Sequence, residues 1–297
     1  MHFSDKINFS RKLNYIKVNQ MKKPPLVSIC CITYNHEKFI EQTLDSFLKQ
    51  KTTFYYNIIL GEDKSSDGTR AICEDYANKF GDKINLLPLK KNLGGRQNFL
   101  RSFKMCQGQY IALCEGDDFW IDKYKLQKQV DFLIENPAFV LIGGRGYTLN
   151  DETGQKKTSD YPNKSMEIKR DFLFSWNPFH TASILVKNVN LNFPDFFLKY
   201  NCGDWMFYFL MTQYGKLYFS NIKEIVFRNH LGGITKQEKP FLQEICYMKM
   251  LIDINKYFDL KYNEDLKKVN KAYAVNIYES YKSELDKEQL AFLMDWI

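Results

Sequence analysis

The sequence predicts an α/β fold, a mixed and mainly parallel sheet flanked by helices, with a helical extension at the C-terminus. Three observations predict it. Between Leu26 and Cys114, apolar runs of strand length alternate with stretches of helical periodicity, and the order β-α-β-α-β-α-β becomes a parallel sheet through right-handed crossovers. Each apolar run closes in a polar turn, which places these turns on one edge of the sheet. From Pro240 onward the patterning is helical throughout.

The elements follow in order. Leu26–Ile32 is a continuous apolar run and the first buried strand. Thr33-Tyr34-Asn35-His36 is a polar turn, and Ile40, Leu44, Phe47 and Leu48 then recur at helical spacing between Glu37 and Gln50. Tyr55–Leu60 is the second strand, closing on Gly61-Glu62-Asp63. Ser65, Ser66 and Asp67 are N-cap candidates for a helix carrying Ile72, Tyr76 and Phe80, stopped by Gly81. Ile84–Leu89 is the third strand. The loop Asn92-Leu-Gly-Gly-Arg96-Gln-Asn98 leads into a helix through Phe99, Phe103 and Met105, and Tyr110–Cys114 is the fourth strand. Beyond Trp120, a helix through Leu126, Val130 and Leu133 ends at Asn136-Pro137. Phe139–Gly143, Tyr147–Leu149 and His180–Lys187 read as separate strands, residues 150–170 as a polar loop, and Leu217–Phe227 as a strand pair or one bent strand. Asn201 to Trp205 opens a helix over 205–214. Asp286 with Gln289 forms a capping box for a last short helix.

A chain of 297 residues with 44% hydrophobic and 16% aromatic content buries a substantial core. The net charge of +7 is uneven: residues 1–23 hold six Lys/Arg against one Asp, and residues 241–297 hold eight Lys against ten Asp/Glu. The excess is too dispersed for a nucleic-acid groove, but suits a phosphate-bearing ligand. The seven cysteines show neither metal-ligand spacing nor a disulfide framework, so buried reduced thiols are expected. No apolar stretch reaches the roughly 18 residues of a membrane span. A cytoplasmic chain is therefore expected, its basic arm leaving room for peripheral contact with an anionic membrane. The expected divisions are a basic arm (1–23), a catalytic domain (24–239) and a C-terminal helical region (240–297).

The fourth strand ends in an acidic turn, Glu115-Gly116-Asp117-Asp118. Carboxylates crowded at the tip of a buried strand repel one another and resist desolvation. A divalent cation with oxygen ligands relieves that cost; a solvated turn is the bland alternative. Thr33 and Asp63 are expected to converge on the same edge.

Leu26–Asn35, Glu62-Asp63-Lys-Ser-Ser-Asp67-Gly-Thr69, the Asn92–Asn98 loop, Glu115-Gly-Asp117-Asp118, Gly203-Asp204-Trp205 and Arg228-Asn-His230-Leu-Gly-Gly233 together resemble family 2 glycosyltransferases of the Rossmann-like GT-A fold. The likeness covers about residues 24–235, with Glu62 and Glu115 standing where that family usually has Asp. It implies inverting transfer of a sugar from a nucleotide diphosphate donor, uridine favoured, to a glycan or lipid-linked glycan hydroxyl, with Mn2+ or Mg2+ neutralising the leaving diphosphate. It implies Asp117 as the metal anchor, with Glu115 and His230 as further ligands, Glu115 being alternatively a ribose contact or a turn acceptor. Thr33, Asn35, Asp63, Arg96, Asn98, Glu115 and Gly116 are expected around the nucleotide; Asn35 and Asn98 have helix capping as their alternative. Arg228, Asp118 and Trp205 are expected near the diphosphate or acceptor, although a Trp in so aromatic a chain, Trp120 and Trp176 included, is more often core. Asp204 is the expected general base, with helix N-capping as its other role.

A nucleotide-sugar pyrophosphorylase or a dinucleotide-binding dehydrogenase requires a glycine-rich phosphate loop after the first strand, where this chain has Thr-Tyr-Asn-His. A catalytically silent glycan- or partner-binding module is the remaining rival. The C-terminal helices either pack on the catalytic domain or dock an acceptor, a membrane or a second subunit.

Overall fold

The computed structural model describes residues 24–158, 162, 164–233 and 239–297; the basic arm of residues 1–23 lies outside them. The first half follows the expected alternation. Strand β1 (Val27–Thr33) leads through α1 (Ile40–Leu48) to β2 (Tyr56–Glu62), and α2 (Thr69–Lys79) leads to β3 (Ile84–Leu86). Helix α3 (Gly95–Lys104) precedes β4 (Tyr110–Glu115). After the acidic turn come β5 (Phe119–Trp120), α4 (Lys125–Glu135) and β6 (Phe139–Asn150). Two short strands, β7 (Lys156–Thr158) and β8 (Met166–Ile168), are followed by α5 (Arg170–Ser175), β9 (Leu185–Lys187), α6 (Gly203–Met211) and β10 (Lys216–Asn229). The C-terminal helices are α7 (Pro240–Tyr257), α8 (Asn263–Tyr281) and α9 (Lys287–Met294).

The sheet order is β3-β2-β1-β4-β9-β6-β10-β5, with β7 on β6 and β8 on β10. Strands β3, β2, β1 and β4 run parallel. Strand β9 is antiparallel to β4 and β6, and β10 is parallel to β6, so the sheet is mixed as expected. Strand β1 pairs with both β2 and β4, and its register sets Thr33 opposite Glu62 and Ile32 opposite Glu115. The strand order reverses there, and such reversals open a crevice at the carboxyl ends of the strands.

Several expectations are corrected. Phe139–Gly143 and Tyr147–Leu149 are one strand, because Gly143 and Gly144 are close-approach residues in extended chain rather than turn formers. A Cβ on Gly144 would lie 1.9 Å from Glu224 Oε2, and one on Gly143 2.4 Å from the Phe179 ring. Overpacking of this kind costs about 1–3 kcal/mol, and the Glu224 carboxylate is held by Gln129 (2.6 Å). Gly144→Ala is therefore expected to lower the urea-unfolding free energy by about 2 kcal/mol; an unchanged midpoint would contradict the close-approach argument. Residues 150–170 include β7 and β8 because β6 and β10 offer them edges to pair with. In the segment 180–187, a 3-10 turn (Thr181–Ser183) precedes the short β9. Leu217–Phe227 takes the second of its two expected forms, one strand, irregular where register shifts separate Phe219, Lys223 and Ile225.

Helix α6 is buried from Trp205 to Met211; apolar on every side, it is an interior helix. It shares one apolar cluster with α7 and α8 through Met250, Leu251, Ile254, Phe258 and Leu266. The C-terminal helices thus pack on the sheet domain. Asp286 and Gln289 form the expected reciprocal cap of α9. All seven cysteines are free thiols. Among the described residues no helix is long and apolar enough to cross a membrane.

Candidate active site

The turn after β4 is built by its neighbours. The Gly116 amide donates to the Ile32 carbonyl at 2.8 Å, and a Cβ there would lie 2.4 Å from Thr33 Oγ1, so only glycine lets the turn cross β1. The Thr43 hydroxyl, buried on α1, is 2.9 Å from the Gly116 carbonyl and 2.6 Å from that of Asp118. Asp118 is buried and accepts the Arg228 amide at 2.8 Å. The Arg228 guanidinium donates to the Asp117 carbonyl and to Gln42 Oε1, between the rings of Phe39 (4.9 Å) and Phe119 (4.6 Å). Arg228 and Asp118, expected near the diphosphate or acceptor, therefore fasten β10 to the acidic turn.

What remains presented is Asp117. Its Oδ2 is 3.1 Å from His230 Nε2 and 3.5 Å from His36 Nε2, and one donor atom from each of the three lies within 4.8 Å of the others. Burial pushes the Asp117 carboxyl up, but the hydrogen bond with His230 and the charge of His36 outweigh it and hold the group below the usual carboxylate range. Burial also lowers His36, partly opposed by Asp117. Two imidazoles and an ionised carboxylate facing one point form a donor set that fits a divalent cation.

Glu115 is not among the three groups whose donor atoms meet. It is half-buried at the end of β4, and burial, then the Asp117 charge, push its carboxyl up to about 8; the Thr181 hydroxyl hydrogen-bonds it. His36, which was not among the expected ligands, is the third member of the cluster. The signal was present in the polar turn three residues after Thr33, since that turn closes β1 on the edge where Asp117 lies.

The other expected nucleotide residues divide into exposed and structural ones. Asn35 is exposed, in the left-handed region at φ 55°, and ties two loops by donating its amide to Ser65 and accepting from Ser66; it does not cap α1, whose N-cap is Phe39. Thr33 is buried with Oγ1 3.2 Å from His36 Nδ1. Asp63, 1% exposed, accepts the Leu93 and Gly94 amides at 2.8 and 2.9 Å, thereby shaping the glycine loop from below. Arg96 is half-buried at the start of α3 and donates to Asn201 at 2.8 Å, across to the segment that precedes α6. Asn98 neither caps α3, whose N-cap is Gly94, nor faces outward: it is buried and donates to the Gly61 carbonyl at 2.6 Å.

Asp204 lies in the first turn of α6, whose N-cap is Cys202, so its expected capping role is absent. Its Oδ2 accepts Asn177 Nδ2 at 3.0 Å. Burial pushes its pKa up from the usual carboxylate value, and the hydrogen bonds from the Trp205 amide and Asn177 offset only part of this. Asp204 and Glu115 sense each other electrostatically, which places the α6 terminus at the same edge as the acidic turn. Trp205 is core: it is buried and its indole donates to the Leu173 carbonyl at 2.9 Å. Trp120 is likewise buried and bonded to Ala182 at 2.8 Å.

Residues 28–196 match the family described as "Glycosyl transferase family 2". An uncharacterized protein of Mycobacterium tuberculosis is 29% identical over 210 residues, 70% of this chain and 60% of that protein. The chain thus spans less than two thirds of the length of that relative. The Staphylococcus aureus TarS fragment 1–349, solved with UDP-GlcNAc, superposes with a TM-score of 0.65 at 16% identity, over 89% of this chain and 77% of that one. The mannosyltransferase PcManGT of Pyrobaculum calidifontis, solved with GDP-Man and Mn2+, superposes with a TM-score of 0.53 at 15% identity, over 97% and 86%. These structures share the fold, which is GT-A. With the match running from β1 into the segment that precedes α6, and the acidic turn at the point where the strand order reverses, this chain belongs to glycosyl transferase family 2.

Proposed function

We propose that this chain transfers a sugar from a nucleotide diphosphate donor, a UDP-sugar above others, to a hydroxyl of a glycan or lipid-linked glycan, with inversion at C1. One observation carries the reading: two carboxyl groups at one sheet edge sit in opposite electrostatic environments. Asp117 is held ionised between imidazoles, whereas Asp204 is raised by burial and oriented by Asn177. Groups whose proton affinities are pushed apart are suited to separate tasks.

Asp117 and His230 would hold a divalent cation, which when bound supplies positive charge against the departing diphosphate. The solved neighbour with Mn2+ supports that choice of ion. The nucleotide is assigned to the carboxyl ends of β1 and β2, where Asn35 and Arg96 offer polar groups and Thr33 and Asp63 shape the wall. The neighbour solved with UDP-GlcNAc supports a uridine donor. Asp204 receives the acceptor hydroxyl proton as that oxygen bonds to C1. The C1–O bond to the diphosphate breaks on the opposite face, and its electron pair leaves with the phosphate oxygen. Arg228 and Asp118 keep the turn rigid while this charge develops.

The direct test screens nucleotide sugars by calorimetry with Mn2+ and with chelator, alongside Asp117→Asn. The expected result is binding that needs the cation and is weakened about 10- to 100-fold in the variant, the scale of a lost ionic partner. If no nucleotide diphosphate binds under either condition, the chain is a silent module on this scaffold.

A further inference from the structure

We infer that His36 is a third protein donor of the cation site, so that this chain binds a divalent transition-metal ion (Mn2+, Co2+ or Zn2+) before any nucleotide and discriminates against Mg2+. The inference rests on the cation reading above and adds to it a ligand, a selectivity and an order of binding. Asp117 and His230 alone would leave most of a coordination shell to water and phosphate oxygens. With His36 Nε2 3.5 Å from the same Asp117 oxygen that lies 3.1 Å from His230 Nε2, three side chains from three separate segments face one volume.

The placement of His36 is fixed on several sides. Its amide donates to Thr69 Oγ1 at 2.8 Å, which holds the backbone of the turn. Its Nδ1 is 3.2 Å from Thr33 Oγ1, and a hydroxyl that accepts a hydrogen bond from Nδ1–H leaves the Nε2 lone pair for the ion, as ligating histidines require. The two imidazoles meet edge to face with centroids 6.0 Å apart, and the Phe39 ring backs His230 at 4.7 Å. Asp117 itself is anchored by Arg228 through its carbonyl. A site pre-assembled in this way loses little side-chain entropy when the ion enters. Imidazole donors suit Co2+ and Zn2+ best, and Mn2+, although it too favours oxygen, gives up water for them more readily than Mg2+, which retains its waters.

The experiment titrates Mn2+ alone into the wild-type protein and His36→Gln, following free Mn2+ by electron paramagnetic resonance, and records the nitrogen modulation of the bound ion by spin-echo spectroscopy. Wild type is expected to bind Mn2+ without nucleotide, at least tenfold more tightly than Mg2+ competes, and to show two imidazole nitrogens. His36→Gln is expected to bind Mn2+ about 10- to 100-fold more weakly and to show one. Equal affinity in the two proteins, or a single nitrogen in the wild type, overturns the assignment of His36 and leaves the cation reading standing. If Mn2+ does not bind to wild type with or without nucleotide, while a nucleotide sugar does, the cation reading fails and His36 with it. The wild-type spectrum decides the donor count even if the variant does not fold, and Thr33→Val, expected to weaken Mn2+ while keeping both nitrogens, checks the support of the ring.

Discussion

Asp204→Asn is expected to lower kcat about 1,000-fold while leaving donor affinity within about twofold, since positioned general bases contribute about 100- to 10,000-fold. The amide keeps the size of the carboxyl and its place in the first turn of α6, and it keeps a partner in Asn177. What it loses is the ability to take a proton. Burial raises the wild-type group above the ordinary carboxylate range, and the ionised form is the active one. Activity should therefore fall as pH drops through that raised value, at a higher pH than an exposed Asp would give. Steady-state rates with pH, together with calorimetric donor binding, check both parts. A variant that transfers sugar at the wild-type rate removes Asp204 from the proton step.

Lys125→Met and Glu224→Gln are expected to destabilise the fold with opposite dependences on pH, while the double variant stays near wild type. Both residues are buried, Lys125 on α4 and Glu224 on β10. Lys125 Nζ donates to Gln129 Oε1 at 3.0 Å and lies 4.4 Å from the Trp120 ring centroid. Gln129 in turn donates to Glu224 Oε2 at 2.6 Å and to the Ser183 carbonyl at 2.9 Å, so the amide bridges two buried charges. Burial lowers Lys125 to about 8, opposed by the Glu224 charge, and raises Glu224 to about 7, opposed by Lys125.

The sign of each slope follows from linkage. A raised Glu224 contributes stability below its unfolded value that is lost as pH rises through about 7. A depressed Lys125 contributes stability above its unfolded value that is lost as pH falls through about 8. Removing the lysine leaves the carboxylate without its cation, so the deficit of Lys125→Met should grow from pH 5 to pH 8. Removing the carboxylate leaves the ammonium alone, so the deficit of Glu224→Gln should grow in the other direction. Breaking one half of a buried pair costs about 3–5 kcal/mol, whereas replacing both halves is often neutral. Urea unfolding at the two pH values reads this; parallel slopes for the two single variants would refute the network.

Local pattern sufficed where one physical cause dominated. The apolar run ending at Cys114 has no reading other than a buried strand, and the reciprocal cap at Asp286 and Gln289 is a local hydrogen-bond geometry. Both were legible. The Gly143-Gly144 stretch was not, because glycine marks a turn and a close approach with the same letter. Only the carboxylate of Glu224, 80 residues further along, decides between them. Arg228 and Asp118 share this difficulty: nothing local distinguishes a guanidinium that meets phosphate from one that clamps a turn between two phenyl rings.

The mixed α/β sheet, the edge on which its polar turns gather, the separation of Asp117 and Asp204 into different elements, and the family are all readable from the chain's pattern. These follow from periodicity and from motifs whose order survives without distances. Which donors meet depends on the packed fold. It set His36 beside Asp117 and His230, moved Asn98 and Trp205 into the interior, and directed Asp63 onto the loop before α3. The reason is geometric: coordination and proton transfer depend on separations of about 3 Å, and residues distant in the chain reach such separations only when β1, β4, β10 and α6 pack together.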